Sequence, residues 1–204
     1  MPALKNSLPW DSMKRTNLFE MIKSFLRYIH LYLLKKQLRF HHAVRKVSGL
    51  ENAREIGILF DASDTDQTAI VNTFADSLRK QRKKLMMLGF YNFSKPALNL
   101  NFPYFNKKNL NWYREPQGLL VDDFMSRKFD ILINAYIEEN LPLEFISSMS
   151  QAGFRIGHYH PEKIYAYDMM IDLKGDKNLG KLTEEIKRYL SMVESNGKGV
   201  APNS

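Results

Sequence analysis

Glu55-Ile56-Gly57-Ile58-Leu59-Phe60 is apolar after its first residue and is closed by Asp61. Its apolar positions are consecutive rather than alternate, which suits a short strand covered on both faces. The polar loop Asp61-Ala62-Ser63-Asp64-Thr65-Asp66-Gln67 follows, and then Thr68–Lys80, where Ile70, Val71, Phe74 and Leu78 share one helical face. The unit is strand, loop, helix. It recurs downstream, with strands expected at 84–91 (KLMMLGFY), 129–135 (FDILINA), 154–158 (FRIGH) and 166–173 (AYDMMIDL). Helices are expected at 119–127, 141–151 and 182–193, with Pro142 tolerated in a first helical turn.

Alternating strands and helices, with strands apolar on both faces, are the mark of a mostly parallel sheet covered on each side. The predicted fold class is therefore α/β: a Rossmann-like three-layer sandwich of about five mostly parallel strands, spanning residues 50–194. Ligands of such sheets bind beyond the carboxyl ends of the strands, where strand order reverses. The loops after Phe60, Tyr91, Ala135 and His158 are the ones to watch. Segment 92–116 is rich in Asn, Pro and aromatics and is read as irregular, and the Gly/Asn/Ser-rich tail, 195–204, as disordered.

Ahead of the body lies a different kind of sequence. Residues 1–16 are read as a flexible lead. From Asn17 to about Val47 the spacing predicts a long helix, with Asn17 as N-cap and Glu20 as its capping-box partner. Leu18, Met21, Ile22, Phe25, Ile29, Tyr32 and Leu33, and then Phe40 and Val44, form its apolar stripe, which either docks on the body or lies on a membrane interface. A break is expected near His41-His42 and an end at Ser48-Gly49. The net charge of +8 is concentrated here. Ten of the 30 Lys/Arg precede Gly49, against two acids, Asp11 and Glu20, so the remainder of the chain is electrically balanced.

A neutral body with a cationic arm points to an anionic partner. The expected contact residues are Lys23, Arg27, Lys35, Lys36, Arg39, Arg45 and Lys46, within a basic amphipathic helix at 17–48. Nucleic acid, the ribosome and a phospholipid surface all offer the required phosphates. A transmembrane segment is not expected, because Phe25–Leu34 is too short and is interrupted by Arg27 and His30. No secretory leader is expected either, since Leu33-Leu34 runs into Lys35-Lys36. The absence of cysteine excludes disulfides, thiolate metal sites and a cysteine nucleophile. The expected location is the cytoplasm or the inner face of its membrane.

The carboxylate loop Asp61, Asp64, Asp66 is the strongest candidate for chemistry. Asp64-Thr-Asp66-Gln-Thr68 fits the Asp-x-Asp-x-Thr spacing of haloacid dehalogenase-like phosphatases, but it begins three residues beyond the strand. The competing reading is helix capping by Asp64 or Asp66. Arg155 and His158 complete the catalytic candidates. His158 and His160 alternate along an extended segment with Glu162 close by, and no metal site is expected from so small a set. No glycine-rich phosphate loop of either standard type occurs, so no nucleotide cofactor is expected. In segment 89–116, Trp112 and Tyr113 beside Lys107 and Lys108 offer stacking faces and phosphate contacts. Most rings of that segment are read as packing against the sheet.

Two resemblances bear on the reading. The basic leader helix, Ile56-Gly-Ile-Leu-Phe-Asp61, Leu110-Asn-Trp112, Phe129-Asp-Ile-Leu-Ile133 and Phe154-Arg-Ile-Gly157 together resemble a small family of uncharacterised Rossmann-like proteins of Bacteroidota. That likeness covers most of the chain and implies a fold with no established activity. Over about 30 residues, Phe129–Ile133, the helix containing Ser147 to Ala152, and Phe154–Gly157 are similar to the acceptor-side half of heptosyltransferase-like glycosyltransferases. The sugar-nucleotide domain of those enzymes has no room in this chain. The functional expectation is a non-catalytic binding or adaptor protein using the basic helix. The alternative is a glycosyltransferase-like or phosphatase-like enzyme built on the carboxylate loop.

Overall fold

The computed structural model describes residues 9–97 and 100–193, with side chains from Leu18 onward except Phe19. Six strands, β1 (Glu55–Asp61), β2 (Lys84–Tyr91), β3 (Tyr104–Asn106), β4 (Ile131–Ala135), β5 (Phe154–His158) and β6 (Met169–Ile171), form one sheet. Every pairing is parallel, and the order is β3-β2-β1-β4-β5-β6. That is the order of doubly wound dinucleotide-binding sheets, with its reversal between β1 and β4.

Alternate side chains sort the core into two layers. Ile56, Ile58, Phe60, Ile131 and Ile133 pack under α2 (Thr65–Arg79) and α5 (Leu179–Met192). Leu59, Leu88, Phe90 and Leu132 pack under α3 (Leu119–Ser126) and α4 (Leu141–Met149). Both faces of β1 and β4 are thus covered, which is why their sequences are continuously apolar. Gly57 is required by this packing, because a Cβ there would sit 2.9 Å from Leu132 Cδ1 and from the Phe129 ring.

Four of the six strands fall within two residues of their predicted starts and ends. β6 keeps only Met169–Ile171 of the predicted 166–173, and β3 lies inside the segment read as irregular. Its three residues are too few for a periodic signal, and it exists because Gly89, Phe90 and Tyr91 offer an open sheet edge. Phe90 and Phe105 then stack at 4.9 Å, and Phe102 meets Phe60 at the same separation. Most of the aromatic segment is accordingly packing.

The first helix differs from its predicted extent. α1 runs Pro9–Leu38, so it starts before Asn17 and ends well short of Ser48-Gly49. Residues 41–49 have no regular structure. No glycine stops the helix. The chain after Leu38 is instead drawn onto the body: the Lys46 N–H donates to the Gly153 carbonyl at 2.8 Å, and the Arg45 guanidinium donates to the Ala152 carbonyl. Tertiary hydrogen bonds override a favourable local propensity here. The predicted lead is partly helical, from Pro9 onward; residues 1–8 and the predicted tail at 195–204 lie outside the described residues.

Candidate functional site

α1 lies against α4 as an additional layer beyond the sandwich. The face it presents to the body is not its apolar stripe. Arg27, His30, Leu34 and Gln37, spaced three, four and three apart, make the contacts. Arg27 donates to Glu139 at 2.8 Å and to Glu162 at 3.1 Å. His30 and Leu34 are buried. The His30 ring meets Phe145 edge-on at 6.0 Å, and its Nδ1–H donates to the Tyr113 carbonyl at 2.9 Å. Its Nε2 is buried without a partner, and burial holds the imidazole below its ordinary pKa, so the ring stays neutral.

About half a turn away at 3.6 residues per turn, Leu18, Met21, Phe25, Tyr28 and Tyr32 face solvent, with Ile22 beside them. Phe25 is 62% exposed and Tyr28 69%. From Leu18 to Phe25 every described side chain is exposed, and on the body side Lys23 borders a cleft shared with Asp61 and Asn140. Lys35, Lys36 and Arg39 continue the same outward face toward its C-terminal end and are exposed, with no ion pair among the described residues. A narrower face of mixed polarity thus docks, and most of the stripe is displayed, with Ile29 and Leu33 half-buried.

The remaining predicted cations divide. Lys23 is exposed and pairs with Glu20 at 3.0 Å. Arg27 is committed to two body carboxylates. Arg45 is half-buried, and burial with the nearby Arg155 charge lowers its pKa to about 10. Lys46 is exposed.

At the carboxyl edge of the sheet, Asp61 sits at the strand-order reversal between two clefts. One, of about 620 Å³, is lined by Lys23, Arg27, Lys107, Arg114, Asn140 and Asp61 among others. The other, of about 380 Å³, includes Asp64, Glu138 and Lys177. Asn140 Nδ2 donates to Asp61 Oδ2 at 3.1 Å, and the Ser63 N–H donates to Oδ1 at 2.9 Å. Asp64 is the N-cap of α2: its Oδ1 accepts from the N–H groups of Asp66 and Gln67 at 2.8 and 3.0 Å. The N–H groups at this helix end are thus already occupied by a carboxylate at the place where this fold usually holds phosphate. Asp66 is exposed in the first turn.

Arg155 and His158 are not brought to this loop together. Arg155 is buried, donates to both Asp168 oxygens at 3.1 and 2.8 Å, and donates to the Tyr165 carbonyl at 2.9 Å. Two residues of the same strand that differ by three positions point to opposite faces, so His158 lies across the sheet from it. Burial, then the Lys163 charge, lowers the His158 pKa. Among the described residues no group of three or more His, Asp or Glu side chains is placed to hold a metal ion. Trp112 is exposed and meets Tyr113 edge-on at 5.1 Å; Lys107 and Lys108 are exposed nearby in sequence, and Lys107 reaches the larger cleft.

Sequence reasoning missed the buried pair Glu144–Lys163 and the role of His30. A glutamate and a lysine 19 residues apart, or a histidine inside an amphipathic helix, carry no local signal of burial. It left open which face of α1 is displayed, because both faces contain large apolar residues.

Among the described residues no helix is long and apolar enough to cross a membrane. No curated protein matches the chain. A family model described as a family of unknown function, DUF6913, matches residues 27–193, from the first docked residue of α1 to the end of α5. With more than half of its length matched, the chain belongs to the DUF6913 family.

Proposed function

We propose that this protein is a non-catalytic binding or adaptor protein whose basic N-terminal region, read as residues 17–48, engages an anionic partner, while the α/β body at 50–194 holds that region in place and offers a second surface. The observation that supports this reading is the outward face of α1. Lys35, Lys36 and Arg39 are exposed there and unpaired among the described residues, while Arg27 is tied to body carboxylates. Lys46 extends the positive surface past the helix. The reading puts the protein in the cytoplasm or at the inner face of its membrane.

The enzyme alternative is weaker on geometry. Its candidate Asp64 already caps a helix, its candidate Arg155 already serves Asp168, and His158 faces away from Arg155. Asp61 lines both clefts, and Asp64 reaches the smaller one with its side chain already committed to the helix cap.

The test is salt-titrated binding of the full chain to an RNA oligomer and to anionic vesicles. Removing residues 1–48 is a poor test, because it deletes the buried His30 and Leu34. The informative variant is Lys35→Glu/Lys36→Glu/Arg39→Glu, whose changed side chains are exposed. A partner held by three such contacts loses roughly ten- to a hundredfold in affinity over a fourfold rise in salt. The variant is expected to lose that dependence along with the binding. Tight binding indifferent to salt, or unaffected by the triple reversal, contradicts the proposal.

A further inference from the structure

We infer that the anionic partner is a phospholipid surface, and that α1 lies in its interface with Leu18, Met21, Ile22, Phe25, Tyr28 and Tyr32 among the acyl chains and headgroups. This rests on the anionic-partner reading above and narrows it to one class.

The exposed apolar residues carry the inference. A scatter of single exposed hydrophobics needs no explanation, but a contiguous row on one face marks a binding surface. Here the row is regular, at spacings of three and four, and lies opposite the face that docks on the body. The residues flanking it are of the kind an interface selects. Tyr28 and Tyr32 have an apolar ring and a polar tip, which suit headgroup depth. Lys35, Lys36 and Arg39 follow at the C-terminal end of the same face, where they meet lipid phosphates as the apolar end enters the bilayer. Every described side chain from Leu18 to Phe25 is exposed, so the outward side of that end is open. Phe40 and Val44, at 78% and 88% exposure, add further unburied apolar area directly after it.

Other occupants fit less well. Nucleic acid would use the cations, and its bases could stack on Phe25, Tyr28 and Tyr32. It gains nothing from Leu18, Met21 and Ile22, which share the face and have no ring. A second copy of the chain would bring Lys35, Lys36 and Arg39 into a seam whose described acid is Glu20, so like charges would dominate. The apolar register also spans only about two heptads, with aromatic residues at three of the five positions, short of what sustains a coiled coil.

The experiment is co-sedimentation of the full chain with vesicles of phosphatidylcholine containing one-quarter phosphatidylglycerol, and with pure phosphatidylcholine vesicles. An RNA oligomer is assayed in parallel. Wild type is compared with Met21→Ser/Phe25→Ser/Tyr28→Ser, three exposed changes whose folding is checked by circular dichroism. The expected result is binding to the anionic vesicles that falls more than about tenfold in the serine variant. Each charge reversal among Lys35, Lys36 and Arg39 should weaken it further by about fivefold or more. A Phe25→Trp variant should show a blue-shifted emission on anionic vesicles. RNA binding without vesicle binding overturns this inference and leaves the anionic-partner reading standing. Binding to neither overturns both. A stable dimer in sedimentation velocity that the serine variant abolishes, without vesicle binding, assigns the face to self-association and also overturns the inference.

Discussion

Lys163 Nζ lies 2.6 Å from Glu144 Oε1, and both side chains are almost wholly withdrawn from water. Glu144 sits in the first turn of α4, and Lys163 comes from the loop between β5 and β6. The Asn140 N–H donates to Glu144 Oε1 at 3.0 Å, and the Tyr165 hydroxyl faces Oε2 at 3.4 Å. The pair therefore fixes the long β5–β6 loop to the start of α4, beside the docking site of α1. Arg27 reaches both ends of this arrangement, since Glu139 precedes α4 and Glu162 precedes Lys163.

Removing one partner of such a pair leaves a buried charge. Lys163→Met is expected to lower stability by about 3–5 kcal/mol, measured by urea unfolding at neutral pH. The double change Glu144→Gln/Lys163→Met should recover most of that loss. A single change costing under 1 kcal/mol would mean that Glu144 reaches water.

Asp168 gives the stability an acid limb. Burial alone would raise its carboxyl pKa, but hydrogen bonds and charge from Arg155 outweigh burial and hold it below the usual carboxylate range. A depressed folded-state pKa contributes stability that is complete above the unfolded value of about 3.9 and is lost as pH falls through the folded value. Asp168→Asn should lower stability near neutral pH and flatten the loss below about pH 4. Unfolding free energy measured against pH checks both.

His30 adds a second limb at milder acidity. Burial lowers its pKa more than the Tyr113 carbonyl and the charges of Glu144 and Glu115 raise it, while Arg114 lowers it further. The folded imidazole then takes up its proton at lower pH than the unfolded one. Stability is full above the ordinary value of 6.5 and declines as pH falls from there toward the folded pKa. Amide exchange in Arg27–Leu38 should accelerate between neutral pH and pH 5 relative to β1. His30→Leu should remove that acceleration.

The two faces of α1 should respond differently to truncation. Leu34 is 1% exposed, so Leu34→Ala is expected to cost about 2–5 kcal/mol. Phe25→Ala, on the displayed face, should stay within about 0.5 kcal/mol. Thermal unfolding of both variants measures the contrast. Equal losses would show that the stripe is buried in solution.

Much of the body was legible in the sequence, because the deciding signals are local. Lys84–Tyr91 and Phe154–His158 were delimited to the residue, since each apolar run is bounded by charged or loop-forming neighbours. Asp64 as a helix cap followed from its place just before an apolar-periodic segment. The same reasoning failed where non-local partners decide. The helix stops close to the break expected near His41-His42, but residues 41–47 do not resume it because Ala152 and Gly153 offer carbonyls to Arg45 and Lys46, which nothing in the local sequence announces. Arg155 looked available as a catalytic cation because Asp168, its partner, lies 13 residues further on. Which side of α1 faces outward depends on how Arg27, His30 and Leu34 fit α4, and no periodicity distinguishes one partly apolar face from another.

The most direct test of the whole account is the affinity of the full chain for anionic vesicles as a function of salt, for wild type and for Lys35→Glu/Lys36→Glu/Arg39→Glu. Wild type should bind at low salt and release steeply as salt rises, and the triple variant should show little binding at any salt. Equal affinities for the two proteins would contradict the assignment of the outward face of α1 as the contact surface.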